Sequence, residues 1–236
     1  MKRVLIGILI VIAAIGLAAC EDKKEPEVTT VVIESGEVTP EPENLPALQN
    51  DEMYKEVIDE YKISLASYDL EDLDAEEKLL NEFGYVNPAL IMHIARYQDT
   101  GAELTFDFYD IDKNEIDELI VGVSGAPAAI YSYDKSSKAP VKICFLETIE
   151  RGSLNIYDNG IINSEGAGGA ALHYYEFGRI SSDGLGFESL EKIEEEYVDG
   201  NEVAEYRNAE TGDKLDYNSM ADVFDKYIPN SEIVGF

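Results

Sequence analysis

From Leu104 to Val123 the chain reads Leu-Thr-Phe-Asp-Phe-Tyr-Asp-Ile-Asp-Lys-Asn-Glu-Ile-Asp-Glu-Leu-Ile-Val-Gly-Val, two β-prone runs around a crowded acidic turn. Alternation puts Leu104, Phe106 and Phe108 on one face of the first run, the period of a half-buried strand. The mainly apolar Leu119-Ile-Val-Gly-Val123 follows the turn, so two adjacent antiparallel strands are expected. Within the turn, Asp110, Asp112, Asn114 and Glu118 take relative positions one, three, five and nine, with the Ile116 carbonyl at seven. Calcium takes about six to eight oxygens, and a loop supplies them from alternating positions. Carboxylates this close repel one another without a cation. Asp110, Asp112, Asn114, Ile116 and Glu118 are therefore the candidate calcium ligands. The competing reading is a solvated turn in which Asp and Asn side chains bond backbone N–H groups. Two positions depart from an EF-hand: Glu115 stands where that loop has glycine, and Val121 where it has its bidentate glutamate. The strand-like flanks exclude a helix–loop–helix.

The rest of the domain follows the same logic. Further β-prone runs cover Ala128 to Tyr133, Val141 to Leu146, Ser153 to Tyr157, Gly160 to Asn163 and Ala171 to Phe177, with turn residues between them. Asp158-Asn-Gly160 is a strong hairpin signal. Strands so close in sequence pair antiparallel, because parallel pairing needs longer crossovers. Before them, Met53, Val57, Tyr61 and Leu65 recur at helical spacing, and further helices are expected from Asp74 to Glu82 and from Pro88 to Tyr97. Asn87 caps the last of these, and Pro88 suits a first helical turn. The charged run Glu188 to Tyr197 reads as helical, and Val203 to Leu215 as a final hairpin. Ser219 caps a terminal helix through Tyr227, which Pro229 stops. The fold class is α+β: N-terminal helices packed on an antiparallel β-meander sheet, then a C-terminal helix.

The N-terminus carries an address. Lys2 and Arg3 precede the unbroken apolar run Val4 to Ala19, which is shorter than the ~20 residues of a comfortable membrane span. The run closes on Leu17-Ala-Ala-Cys20, the pattern of a bacterial lipobox. Residues 1–19 are thus read as a lipoprotein signal peptide. Cys20 is the lipidation site, and its acyl chains, palmitate among them, form the membrane anchor. The expected location is the extracytoplasmic face of the cell membrane. Residues 20–48 are rich in acidic residues and proline and read as a tether. Residues 49–236 form the single domain.

Removing the signal peptide takes the formal charge from −31 to −33. Such a surface repels nucleic acid and attracts cations. Only Cys144 then remains, in an apolar run, so no disulfide forms within the chain.

No Gly-x-Ser-x-Gly, His-Glu-x-x-His, phosphate-binding glycine loop or Cys-x-x-Cys occurs. With only His93 and His173, a multi-histidine metal site cannot form in one chain. His93 sits among Ile91, Ile94 and Ala95 and reads as structural. Ser164-Glu-Gly-Ala-Gly-Gly-Ala170 joins two strands, so Gly168, Gly169, His173 and Tyr174 form a candidate ligand site. The competing reading is a wide turn or bulge that simply needs glycine.

Phe108 to Gly122, with its Tyr-Asp-Ile-Asp-x-Asn-x-x-x-Glu-Leu segment, resembles a group of uncharacterised lipoproteins of Gram-positive bacteria. Asn159-Gly-Ile-Ile, Gly166 to Ala170 and Tyr174-Tyr-Glu-Phe177 resemble the later strands of the same group. The resemblance covers Tyr109 to Phe177 and the lipobox, and it implies export and anchoring but no settled activity. The function expected is a membrane-anchored, non-enzymatic binding module with a structural calcium loop, its partner an unknown protein, peptide or cell-wall ligand. The alternatives are a cell-envelope hydrolase using His173, with Ser124 or Ser164 as its hydroxyl, and a solute-binding component of a transporter.

Overall fold

Two antiparallel sheets, rather than one, carry the strands. The structure, a computed structural model, describes residues 50–72, 74–198 and 203–236, so the expected signal peptide, Cys20 and the tether lie outside the described residues. Helices α1 (Asn50–Met53), α2 (Lys55–Ser67), α3 (Ala75–Glu82) and α4 (Pro88–Tyr97) come first. Strands β1 (Leu104–Tyr109), β2 (Glu118–Val123), β3 (Ala126–Asp134) and β4 (Ala139–Phe145) pair in sequence order as the first sheet. Strands β5 (Gly152–Ile156), β6 (Ile162–Ala167), β7 (Leu172–Ile180), β8 (Phe187–Val198) and β9 (Val203–Asn208) pair in the same order as the second. Helix α5 (Met220–Tyr227) closes the chain. The mixed α+β class and the meander connectivity are as expected; the division into two sheets is a correction. Among the described residues no helix is long and apolar enough to cross a membrane.

Strand β2 shows why the first sheet can be buried on both faces. Leu119 and Val121 share a core with Tyr61, Leu90, Ile91 and Ile94 of the helices. Ile120, pointing the other way, joins Ile130, Leu154, Ile156 and Ile162 in the core between the sheets. A strand with no solvent face has no reason to alternate. Asn87 binds the helical layer to this sheet. Its Oδ1 accepts from Ala89 N at 3.1 Å, capping α4, while its Nδ2 donates to the carbonyls of Ala128 and Leu146. Tyr61 and Tyr131 pair their hydroxyls at 2.9 Å, so the buried tyrosines satisfy each other.

The second sheet turns its other face toward α5. Phe177, Ile193, Tyr206 and Val223 form that core. Ser219 and Asp222 make a reciprocal capping box at the start of α5. The reading of Glu188 to Tyr197 as helix is corrected, since this run is most of β8. Two of its glutamates, Glu191 and Glu195, are held by tyrosines rather than spread over a solvated helix face. Glu191 accepts from the Tyr217 and Tyr227 hydroxyls, and Glu195 from those of Tyr175, Tyr197 and Tyr206.

Candidate metal centre

The acidic turn joins β1 to β2 and folds back on itself. Asp110, Asp112 and Glu118 each bring a carboxylate oxygen within 4.8 Å of the others, a set that could hold a metal ion. Glu118 opens β2 on the face that looks toward the second sheet, and its side chain is fully buried. Its Oε2 accepts from Ile111 N at 2.9 Å, and its Oε1 from the Ser132 hydroxyl at 3.3 Å. Burial drives the Glu118 carboxyl up to about 8; the Ile111 bond pulls against this, and the Asp112 charge adds to it. Burial also raises Asp112, opposed by its bond from Asn114 and reinforced by the charge of Asp110.

The loop backbone is wound around these carboxylates. Asp110 Oδ1 accepts from Asn114 N at 3.0 Å, and its Oδ2 from Glu115 N at 3.1 Å. Asp112 accepts from Asn114 N at 3.1 Å and from Asn114 Nδ2 at 2.9 Å. Asn114 is thus beside the cluster, bonded to Asp112. Ile116 takes part through its N–H, which donates to Asn114 Oδ1 at 2.8 Å. Of the five expected ligands, the structure brings three carboxylates together and places Asn114 against them.

Among the described residues no basic side chain forms an ion pair with any of the three carboxylates. Lys113, within the turn, is engaged by other groups. Lys113 Nζ bonds the Tyr109 hydroxyl and the Asp110 carbonyl, both at 3.0 Å, and lies 4.4 Å from the Tyr109 ring centre. Neighbouring elements brace the loop. Asn50 Nδ2 donates to Asp117 Oδ2 at 2.7 Å and the Tyr54 hydroxyl to the Asp117 carbonyl at 2.8 Å. A Cβ placed on Gly184, in the β7–β8 turn, would stand 3.6 Å from Asn114 Nδ2 and 3.8 Å from Asp112 Oδ2. This shelter was not legible in the turn sequence, which reads as an open hairpin tip.

Glu115 takes the left-handed conformation that an EF-hand gives to glycine, at φ 69°, and Lys113 does so at φ 63°. A side chain there costs about 1–2 kcal/mol. Glu115→Gly is therefore expected to stabilise the fold by ~1 kcal/mol, visible as a higher urea midpoint at unchanged slope. A lower midpoint would contradict the strained geometry.

The candidate ligand site on the glycine turn comes apart. His173 and Tyr174 are neighbours on β7 and point to opposite faces. Tyr174 lies over Gly168, where a Cβ would meet its ring at 2.7 Å. Gly169 has open space around it and touches neither. His173 instead has its Nδ1 3.6 Å from Glu195 Oε2. Ser164 pairs with Glu176, whereas His173 pairs with Ala167 and Glu195, so Ser164 and His173 occupy opposite faces. Ser124 lies in the β2–β3 turn, its hydroxyl donating to the Gly101 carbonyl at 3.4 Å. Neither serine forms a dyad with this histidine. Cys144 sits against the core between the sheets, where burial raises its thiol to about 12.

No protein-family model matches the chain, and no curated protein matches it. Among solved structures it is similar to a Xanthomonas protein related to the type IV secretion system, at 15% identity and a TM-score of 0.34. That match covers 48% of this chain and 58% of the other, so the chain spans little more than half the length of that protein.

Proposed function

We propose that the protein is a lipid-anchored extracytoplasmic binding module whose β1–β2 turn takes a structural calcium ion. The carrying observation is the fully buried Glu118 beside Asp110 and Asp112, with no basic side chain paired to any of them. Three carboxylates around one point are costly without a positive charge between them. An all-oxygen donor set suits a hard cation rather than zinc, which favours nitrogen and sulfur. Calcium is preferred over magnesium because an irregular loop of carboxylates tolerates a variable coordination number better than an octahedron. The ion would tie β1 to β2 and, through Gly184 and Asp117, to the β7–β8 turn and the first helix. The lipobox at Cys20 supports anchoring, with the domain held at the membrane surface for an envelope ligand.

Isothermal titration of the full chain with calcium and, separately, magnesium tests the metal reading. One calcium site is expected, with weaker magnesium binding, and Asp110→Ala or Asp112→Ala should abolish the calcium heat. Absence of heat from the unmutated chain at roughly millimolar calcium, the range of extracellular modules, would sink the reading.

A further inference from the structure

The second sheet has a polar, partly open area on the face that α5 covers. Register places Ser153 and Asn155 of β5, Asn163 and Glu165 of β6, His173 and Tyr175 of β7 and Glu195 of β8 on this one face. Helix α5 covers it over Phe177, Ile193 and Tyr206. Toward the start of β5 a cleft of about 310 Å³ remains, with Ser153, Glu165, His173 and Tyr175 in its walls and Arg151 and Glu150 also lining it.

The cleft is held rigid from below. Glu195, 4% exposed, takes the Tyr175 hydroxyl at 3.0 Å on Oε2, the oxygen that also faces His173, and the Tyr206 hydroxyl at 3.1 Å on Oε1. The Tyr175 ring in the cleft wall is thereby fixed by one buried carboxylate, with His173 beside it. On β5, Asn155 Nδ2 donates to Ser153 Oγ at 3.2 Å and approaches Glu165 Oε1 at 3.5 Å. Next to these, Asn163 is fully buried, and neither its Oδ1 nor its Nδ2 has a hydrogen-bond partner among the described residues. Asn163 does not line the cleft, so its amide plays no part in what the cleft can hold.

We infer that this cleft binds a neutral, polyhydroxylated ligand, a sugar residue of a glycan. Hydroxyl, carboxyl, imidazole and guanidinium groups share its walls, offering donors and acceptors together, as a polyol requires. On the rim the charges of Arg151 and Glu150 offset each other. No large aliphatic side chain lines the cleft, so it lacks the socket that an apolar peptide side chain needs. The flat faces of Tyr175 and His173 instead suit the C–H face of a sugar ring. Burial raises the Glu165 carboxyl, opposed by its hydrogen bond from Ser153. The inference rests on the binding-module reading above and is independent of the calcium loop.

The test is isothermal titration of the full chain with tetrasaccharides of glucose, of mannose and of N-acetylglucosamine, each in calcium and in chelator. At least one should bind saturably. Glu165→Leu should weaken it by about tenfold or more, the loss of a well-placed hydrogen bond, and Glu165→Gln by only about threefold. No binding of any of the three up to about 10 mM would overturn the inference. So would saturable binding of trialanine in their place, or loss of binding in Tyr174→Ala with Glu165→Leu neutral, which would move the ligand to the opposite face. A calcium heat without sugar binding sinks this inference alone; sugar binding without a calcium heat sinks the metal reading alone.

Discussion

In chelator, the folded chain is expected to lose stability as pH rises from about 5 to about 8, and Glu118→Gln is expected to remove most of that loss. The sign follows from burial. The folded Glu118 carboxyl titrates near 8, against 4.5 for the ordinary group, so between those values the folded state holds a proton that the unfolded state has released. Stability from this group is complete below the lower value and gone above the upper one. A displacement of this size corresponds to on the order of 5 kcal/mol. Asp112, also raised, acts in the same direction. Calcium should reverse the trend, because the ion displaces the proton and takes over the negative charge. Its affinity should accordingly improve by about tenfold per pH unit as pH approaches 8, for one proton displaced. Urea denaturation across pH, with and without calcium, checks all of this. A stability in chelator that stays level over that range would mean that Glu118 is not held as described.

The second large effect lies away from the metal. Phe177 is fully buried at the centre of the second sheet, stacked on Tyr227 at 4.9 Å between ring centres and edge-on to Phe224 at 5.5 Å. These rings hold α5 against β7. Phe177→Ala should cost about 3–5 kcal/mol, the range for deleting a buried aromatic ring and leaving a cavity. Amide exchange should rise first across Met220–Tyr227, while calcium affinity at pH 8 stays unchanged, because the acidic loop belongs to the first sheet. A loss below ~1 kcal/mol, or an equal loss of calcium binding, would contradict this division of labour.

Much of this architecture was legible in the residues, and the failures have physical causes. The helices ending in Glu82 and Tyr97 followed from capping and spacing, as Asn87 and Pro88 show. The division into two sheets did not, because hairpin-joined strands alternate in the same way whether or not the sheet continues. The available signal was β2, whose unbroken apolar run records burial on both faces. Strand β8 was misread as a helix because its glutamates suggested a solvated surface. In the structure tyrosine hydroxyls from neighbouring elements donate to Glu191 and Glu195, which local pattern cannot reveal. At the metal site, spacing singled out Asp110, Asp112 and Glu118, but the depth of Glu118 comes from Ser132 and the sheet above it. On the glycine turn, strand alternation alone separates His173 from Tyr174; Tyr175 and Glu195 are the residues that accompany the histidine.

The central claim is that the loop at Asp110 to Glu118 is completed by a divalent cation, and thermal melting of the full chain at pH 8 tests it most directly. With calcium at roughly a hundred times its dissociation constant, the account expects about 2.7 kcal/mol of added stability, a rise of roughly 5–10 °C over the chelated protein. Asp112→Ala should melt at one temperature in both conditions. An unmutated chain that melts at the same temperature in chelator and in excess calcium would contradict the account.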